Sequence, residues 1–151
     1  MDNNKIFIDA INNENIEKIT ECLNNGVNVN CNKCDAIITV IMKGNMKLLK
    51  LLVSYGATIE ANEKFENSPI SIAASGGHLE ILKYLYALGG DLFEEDNRPL
   101  FFGCLYNHFH IVKYLVSKGA LKNKVPLKKR GNYLWACGES NSVEILTYLL
   151  K

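Results

Sequence analysis

The sequence predicts an all-α fold built from one helical hairpin used several times, on three observations. A glycine closes each of four apolar runs, at Gly26, Gly56, Gly89 and Gly119, in steps of 30, 33 and 30 residues. Twelve residues before these markers stand Glu14, Gly44, Gly77 and Asn107, so the interval inside each unit is constant. The later segment of each unit carries apolar residues at i, i+1, i+4 and i+5: Leu48, Leu49, Leu52, Val53; Ile81, Leu82, Leu85, Tyr86; Ile111, Val112, Leu115, Val116; Ile145, Leu146, Leu149, Leu150. That spacing is a helix stripe. Self-similarity at such a period marks a repeat architecture, whereas a generic helical bundle has no reason for repeated punctuation.

Taken in order, each unit opens with a capping signal. Ser68-Pro69 offers an N-cap hydroxyl followed by proline at the first helical position, where a missing N–H costs nothing. Pro99, Asp35 and Asn132 occupy comparable starts. The small residues Ala73, Ala74, Gly103, Cys104, Cys137 and Gly138 then let the first helix lie close to its neighbours. The second helix follows, and its terminating glycine suits the left-handed position after a helix end. The first unit reads as a cap, because Lys18 takes a stripe position and Asn12, Asn13 and Glu14 are polar. The expectation is a single domain over 1–151, with units near 5–34, 35–67, 68–97, 98–131 and 132–151.

The stretch "SPISIAASGGHLEILKYLYALGG" and its echo "RPLFFGCLYNHFHIVKYLVSKGA" resemble the ankyrin-repeat consensus of Thr-Pro-Leu-His, Ala-Ala, Gly-His, a leucine-rich helix and Gly-Ala. The resemblance implies an ankyrin-repeat solenoid of about five helix-turn-helix units. Steps from 35 to 68 and from 98 to 132 have full length, while the two steps of 30 imply shortened inter-repeat fingers. The sequence departs from the pattern at Arg98, which replaces the capping hydroxyl, and at Phe101 and Trp135, which take the usual His position. "HFHIVKYLVSKGA", with the richness in Asn, Ile and Lys, is also similar to ankyrin proteins of large DNA viruses that infect amoebae.

For function, the resemblance implies a non-catalytic module that binds a protein partner on a concave face, through a variable pair after Ala-Ala and through finger tips. Carried over by position, the pairs are Asn12 and Asn13, Met42 and Lys43, Ser75 and Gly76, Leu105 and Tyr106, and Glu139 and Ser140, with Lys64 and Phe65 on a finger. Met42, Phe65, Leu105 and Tyr106 are the preferred anchors, since apolar and aromatic side chains dominate interfaces. The alternative is that Leu105 and Tyr106 pack as satellite core. A viral chain would engage a host target.

Composition bounds the alternatives. Seventeen Lys and Arg against sixteen Asp and Glu leave a net charge of +1, which gives no overall pull toward nucleic acid or membrane. No apolar run has signal-peptide or membrane-spanning length, "AIITVIM" at 36–42 being far too short. Five cysteines without a secretory signal point to free thiols in a reducing, intracellular setting, the cytoplasm, or the host cytoplasm for a viral chain. Phosphate loops, nucleophile elbows and supported acid pairs are absent, so neither an enzyme nor a cofactor is expected. His78 and His108 take the family's Gly-His position, where the resemblance implies a structural hydrogen bond. "CNKC" at Cys31 and Cys34 lacks the two further ligands that zinc requires, so no metal is expected. The basic loop 122–130, with Lys122, Lys124, Lys128, Lys129 and Arg130, keeps a nucleic-acid contact as one alternative reading.

A further alternative concerns Ile145, Leu149 and Leu150. They keep the internal stripe with no unit following, so the edge is covered by more chain, by a second copy in a homodimer, or left partly exposed.

Overall fold

The computed structural model describes residues 3–59, 68–121 and 127–151, excluding the side chains of 32–35, 95, 96 and 127–131. Among the described residues there are ten helices and no strand, as the repeat predicts. They divide between two compact units that meet in the sequence at Pro69 and Ile70.

The first unit holds two hairpins, α1 (Asn3–Asn12) with α2 (Ile16–Asn24) and α3 (Cys31–Met42) with α4 (Met46–Ser54). Helix α1 packs on α2 and α3, and α3 packs on α4. Phe7, Ile11, Ile19, Ile37, Ile41, Leu48, Leu49 and Leu52 form its fully buried centre. The second unit holds three hairpins: α5 (Pro69–Ser75) with α6 (Leu79–Ala87), α7 (Glu94–Leu105) with α8 (Phe109–Lys118), and α9 (Leu127–Glu139) with α10 (Val143–Leu149). Helix α7 packs on α8 and α9, and α10 closes against both α8 and α9.

The stripe behaves as expected at three of its four places. Leu48, Leu49 and Leu52 are buried, as are Ile81, Leu82 and Leu85, and Ile111, Val112 and Leu115. The fourth place is more open: Val53 and Val116 are half-buried, and Tyr86 and Leu150 are exposed. The helical period explains the difference, since i, i+4 and i+1 fall within an arc of about 100° while i+5 lies about 140° from i, at its rim.

The repeated punctuation is a repeated turn. Gly26, Gly56, Gly89 and Gly119 all have φ between +83° and +109°, and Glu14, Gly44, Gly77 and Asn107 are left-handed as well. At Gly56, its N–H donates to the Val53 carbonyl at 2.9 Å and the Ala57 N–H to the Leu52 carbonyl at 3.0 Å. This paired closure satisfies carbonyls that a helix end otherwise leaves open. Asn141, with φ +51°, places the same turn in the last hairpin.

Two expected starts are corrected. Helix α3 begins at Cys31 and not at Asp35, and α9 begins at Leu127 and not at Asn132. Helix α7 begins at Glu94, but Asn97 has φ +68°, a value that helical backbone lacks, so the regular helix restarts at Arg98 and Pro99 as the sequence suggests. The 30-residue steps have a physical counterpart. Four-residue linkers join Gly26 to Cys31 and Gly89 to Glu94, and each holds a side-chain turn, with Asn28 Oδ1 accepting from the Asn30 N–H at 2.9 Å and Asp91 Oδ1 from the Phe93 N–H at 2.8 Å. Val29 and Leu92 are buried at matching places in these linkers. What would have been finger becomes an extra helical turn.

Candidate functional site

In the second unit the inner faces of α7 and α9 are made of small residues. Gly103 lies near α8, where a Cβ would stand 3.1 Å from Val112 Cγ2, a tight contact that glycine avoids. Cys104 and Cys137 are buried and hydrogen-bond to each other, and burial pushes both thiols up from their usual range. Ser140 Oγ donates to the Cys104 carbonyl at 2.9 Å. The pairs Cys104–Cys137 and Phe101–Trp135 have nearly the same sequence offset, so α7 and α9 run parallel and in register.

That register carries the Phe101 ring onto Trp135, with centroids 6.3 Å apart and planes inclined by only 7°. From Phe101 the contacts run on to Phe102 at 5.8 Å, then Tyr106 at 6.1 Å, His108 at 6.5 Å and His110 at 5.9 Å. Six rings thus form one row. Its imidazole end is anchored, because Nε2 of His108 lies 2.9 Å from the Ser75 carbonyl oxygen and Nε2 of His110 lies 2.9 Å from that of Gly77. A carbonyl only accepts, so each Nε2 carries the proton. The other end is open, Trp135 being 57% exposed, and Tyr106 within the row is 52% exposed.

The residues singled out from the sequence fall into separate places. In the first unit Met42 is 63% exposed at the end of α3. Lys43 Nζ lies 3.6 Å from Glu14 Oε1, whose other oxygen accepts from Asn45 Nδ2 at 2.9 Å. In the second unit Ser75 is half-buried, with its hydroxyl donating to the Ile72 carbonyl at 2.9 Å and its own carbonyl held by His108. Leu105 is half-buried beside the exposed Tyr106, and Glu139 is exposed at the end of α9. Lys64 and Phe65 lie outside the described residues, as do 122–126 of the basic loop.

Phe101, Phe102 and Trp135 were not among the expected contacts. The signal was present as bulky rings in the His position of two consecutive units, where a single sequence does not reveal whether they face inward or out. His110 was likewise missed as an anchor.

At α10 the expected edge needs correction, since Ile145 is fully buried and belongs to the core. Leu146 and Leu149 are half-buried, whereas their counterparts Leu82, Leu85, Val112 and Leu115 have no exposure. Leu150 is 67% exposed. The open edge is therefore Leu146, Leu149 and Leu150.

Among the described residues no three His, Cys, Asp or Glu side chains are grouped to hold a metal ion, and no helix is long and apolar enough to cross a membrane. Cys22, Cys104 and Cys137 form no disulfide and are buried.

Comparison with known proteins agrees with this geometry. The family model for ankyrin repeats, in three copies, matches residues 7–96. An ankyrin repeat protein of Acanthamoeba polyphaga mimivirus, L66, is 26% identical over 158 aligned positions, covering 77% of this chain and 26% of that protein. Human protein phosphatase 1 regulatory subunit 27 is 39% identical over 56 residues, 37% of this chain and 36% of that protein. The Notch-regulated ankyrin repeat-containing protein of Xenopus laevis is 33% identical over 88 residues, 54% of this chain and 77% of that protein. The chain thus spans about a quarter to a third of the first two relatives. Beyond residue 96 the same turns recur at Asn107, Gly119 and Asn141. The chain belongs to the ankyrin-repeat family.

Proposed function

We propose that this chain is a non-catalytic protein-binding module whose docking surface includes the open end of the ring row on α7 and α9. Ankyrin repeats generally mediate protein–protein interaction. The observation that carries the surface is the stacked pair Phe101–Trp135 continuing to an exposed Tyr106. Exposed clustered rings of this kind mark interaction sites, and Trp and Tyr dominate binding energy. Leu105 and Glu139 border the row; Met42 and Lys43 form a second, separate contact on the first unit. The relative named as a phosphatase regulatory subunit is in keeping with a binding role, and the mimivirus relative with a viral chain that engages a host protein. The buried, unbridged thiols of Cys22, Cys104 and Cys137 suit a reducing intracellular setting such as the cytoplasm.

Affinity purification from the natural cellular setting tests this, with Tyr106→Ala/Trp135→Ala as the control. A protein partner retained by the natural chain and lost from the double variant, at unchanged helical content, is the expected result. An identical set of retained proteins removes the row from the interface.

A second reading rests on α10, where Leu146 and Leu149 are more open than their counterparts and Leu150 is exposed. A second copy seated there makes the chain a self-associating component. Sedimentation velocity showing a dimer that Leu149→Glu dissolves is the outcome this reading requires.

A further inference from the structure

The chemistry of the partner, which rests on the protein-binding reading, is written on α9. Three features share the outer face at the end of α9. Trp135 shows more than half its surface. Glu139 is exposed four residues on, which places it on the same helix face one turn later. Neither a cation nor a hydrogen-bond donor among the described residues occupies its carboxylate. Between them Gly138 leaves the helix bare, since a Cβ built there meets no atom within 4 Å.

Among the described side chains, the charge at the C-terminal end of α9 is negative. Helices α7 and α9 run parallel, so the negative ends of both macrodipoles reach the face that Glu139 already makes anionic. Arg98 is half-buried and has a partner of its own, and it stands one turn before Phe101, so the parallel register sets it on the side of the stacked pair away from Glu139. Among the described side chains, the open rings therefore adjoin a carboxylate that has no counter-ion.

We infer that this ledge receives an arginine-bearing segment of a partner protein. The guanidinium lies over the Trp135 and Phe101 faces, its fork meets the Glu139 carboxylate, and an apolar neighbour of the arginine fills the shelf above Gly138. Arginine fits better than lysine because its planar head both stacks on rings and presents paired donors to a carboxylate, whereas an ammonium is a strongly hydrated point charge. A nucleic-acid strand is disfavoured at this end, since its phosphates would face Glu139 and two helix C-termini.

Trp135 is the only tryptophan of the chain, so its fluorescence reads the ledge directly. The probes are three peptides, Ac-Gly-Ser-Ala-Leu-X-Leu-Ala-Ser-Gly-NH2, with X arginine, citrulline or glutamate, titrated into the intact chain and its Glu139→Gln variant. The arginine peptide should change Trp135 emission saturably, and both citrulline and Glu139→Gln should weaken that binding about fivefold or more. Equal binding of the arginine and citrulline peptides, or indifference to Glu139→Gln, overturns the arginine assignment while leaving a ledge that binds protein. Silence of all three peptides, or an emission change that follows chain concentration alone, overturns it as well. The ledge itself fails separately, when Tyr106→Ala/Trp135→Ala retains every protein partner.

Discussion

The imidazole of His108 ties two successive hairpins of the second unit: its Nε2 lies 2.9 Å from the carbonyl oxygen of Ser75, and its Cε1 lies where a Cβ on Gly77 would stand only 2.7 Å away. Glycine is favoured at 77 by φ +72° and, unlike at the equivalent Glu14 and Asn107, by the ring that stands where a Cβ would lie. Gly56 has a similar φ of +84° with nothing within 4 Å of its missing Cβ. Gly56→Ala should therefore cost about 1–2 kcal/mol, the left-handed penalty alone, and Gly77→Ala clearly more. In a His108→Ala background the excess should vanish. Urea unfolding of the four variants checks this, and equal costs at the two glycines would show that the ring gives way freely.

Gly138 offers the opposite case. It sits near the end of α9 without a left-handed φ and with open space around it. Gly138→Ala should stabilise the chain by about 0.5–1 kcal/mol, by reducing the freedom of the unfolded backbone. Thermal unfolding reads the gain, and destabilisation would mean that the shelf is occupied in the folded chain.

The fold was legible because its punctuation is local chemistry. Each marker glycine fixes a left-handed turn, and the spacing of Glu14, Gly44, Gly77 and Asn107 repeats that turn whatever packs around it. Asn141 escaped notice only because no marker follows it. Helix starts were less legible: the short linkers at Asn28 and Asp91 close by side-chain turns, and this lets helix begin earlier than the proline and capping signals suggest. The site was the least legible part. Orientation of a bulky ring in a His position depends on the neighbouring helix, so Trp135 and Phe101 were visible as departures and not as a stacked pair.

Cys104 and Cys137 give a prediction with a sign. Burial holds both thiols protonated in the folded chain, above the usual range near pH 8.5. Below that pH both states keep their protons and the contribution to stability is complete. Above it the unfolded chain releases protons that the folded chain retains, so stability falls as pH rises. Urea midpoints should decline between pH 8 and 10, less steeply in Cys104→Ala. The same burial should leave both thiols unlabelled by iodoacetamide at pH 8 until the chain is unfolded. Rapid native labelling would place them at the surface.

The open edge of α10 also has a measurable consequence. If a second copy covers Leu146, Leu149 and Leu150, sedimentation should show a concentration-dependent dimer, and Leu149→Glu should return it to monomer with little loss of helix. A monomer at all concentrations leaves that edge without a second copy.

The central claim is that the rings of α7 and α9 are displayed for a partner and do not hold the unit together. Urea unfolding of Trp135→Ala, followed by circular dichroism, tests it without any partner in hand. A loss of about 1 kcal/mol or less is expected for a largely exposed side chain. A loss of about 3 kcal/mol or more, the range of a buried aromatic truncated to alanine, would make Trp135 core and contradict the account.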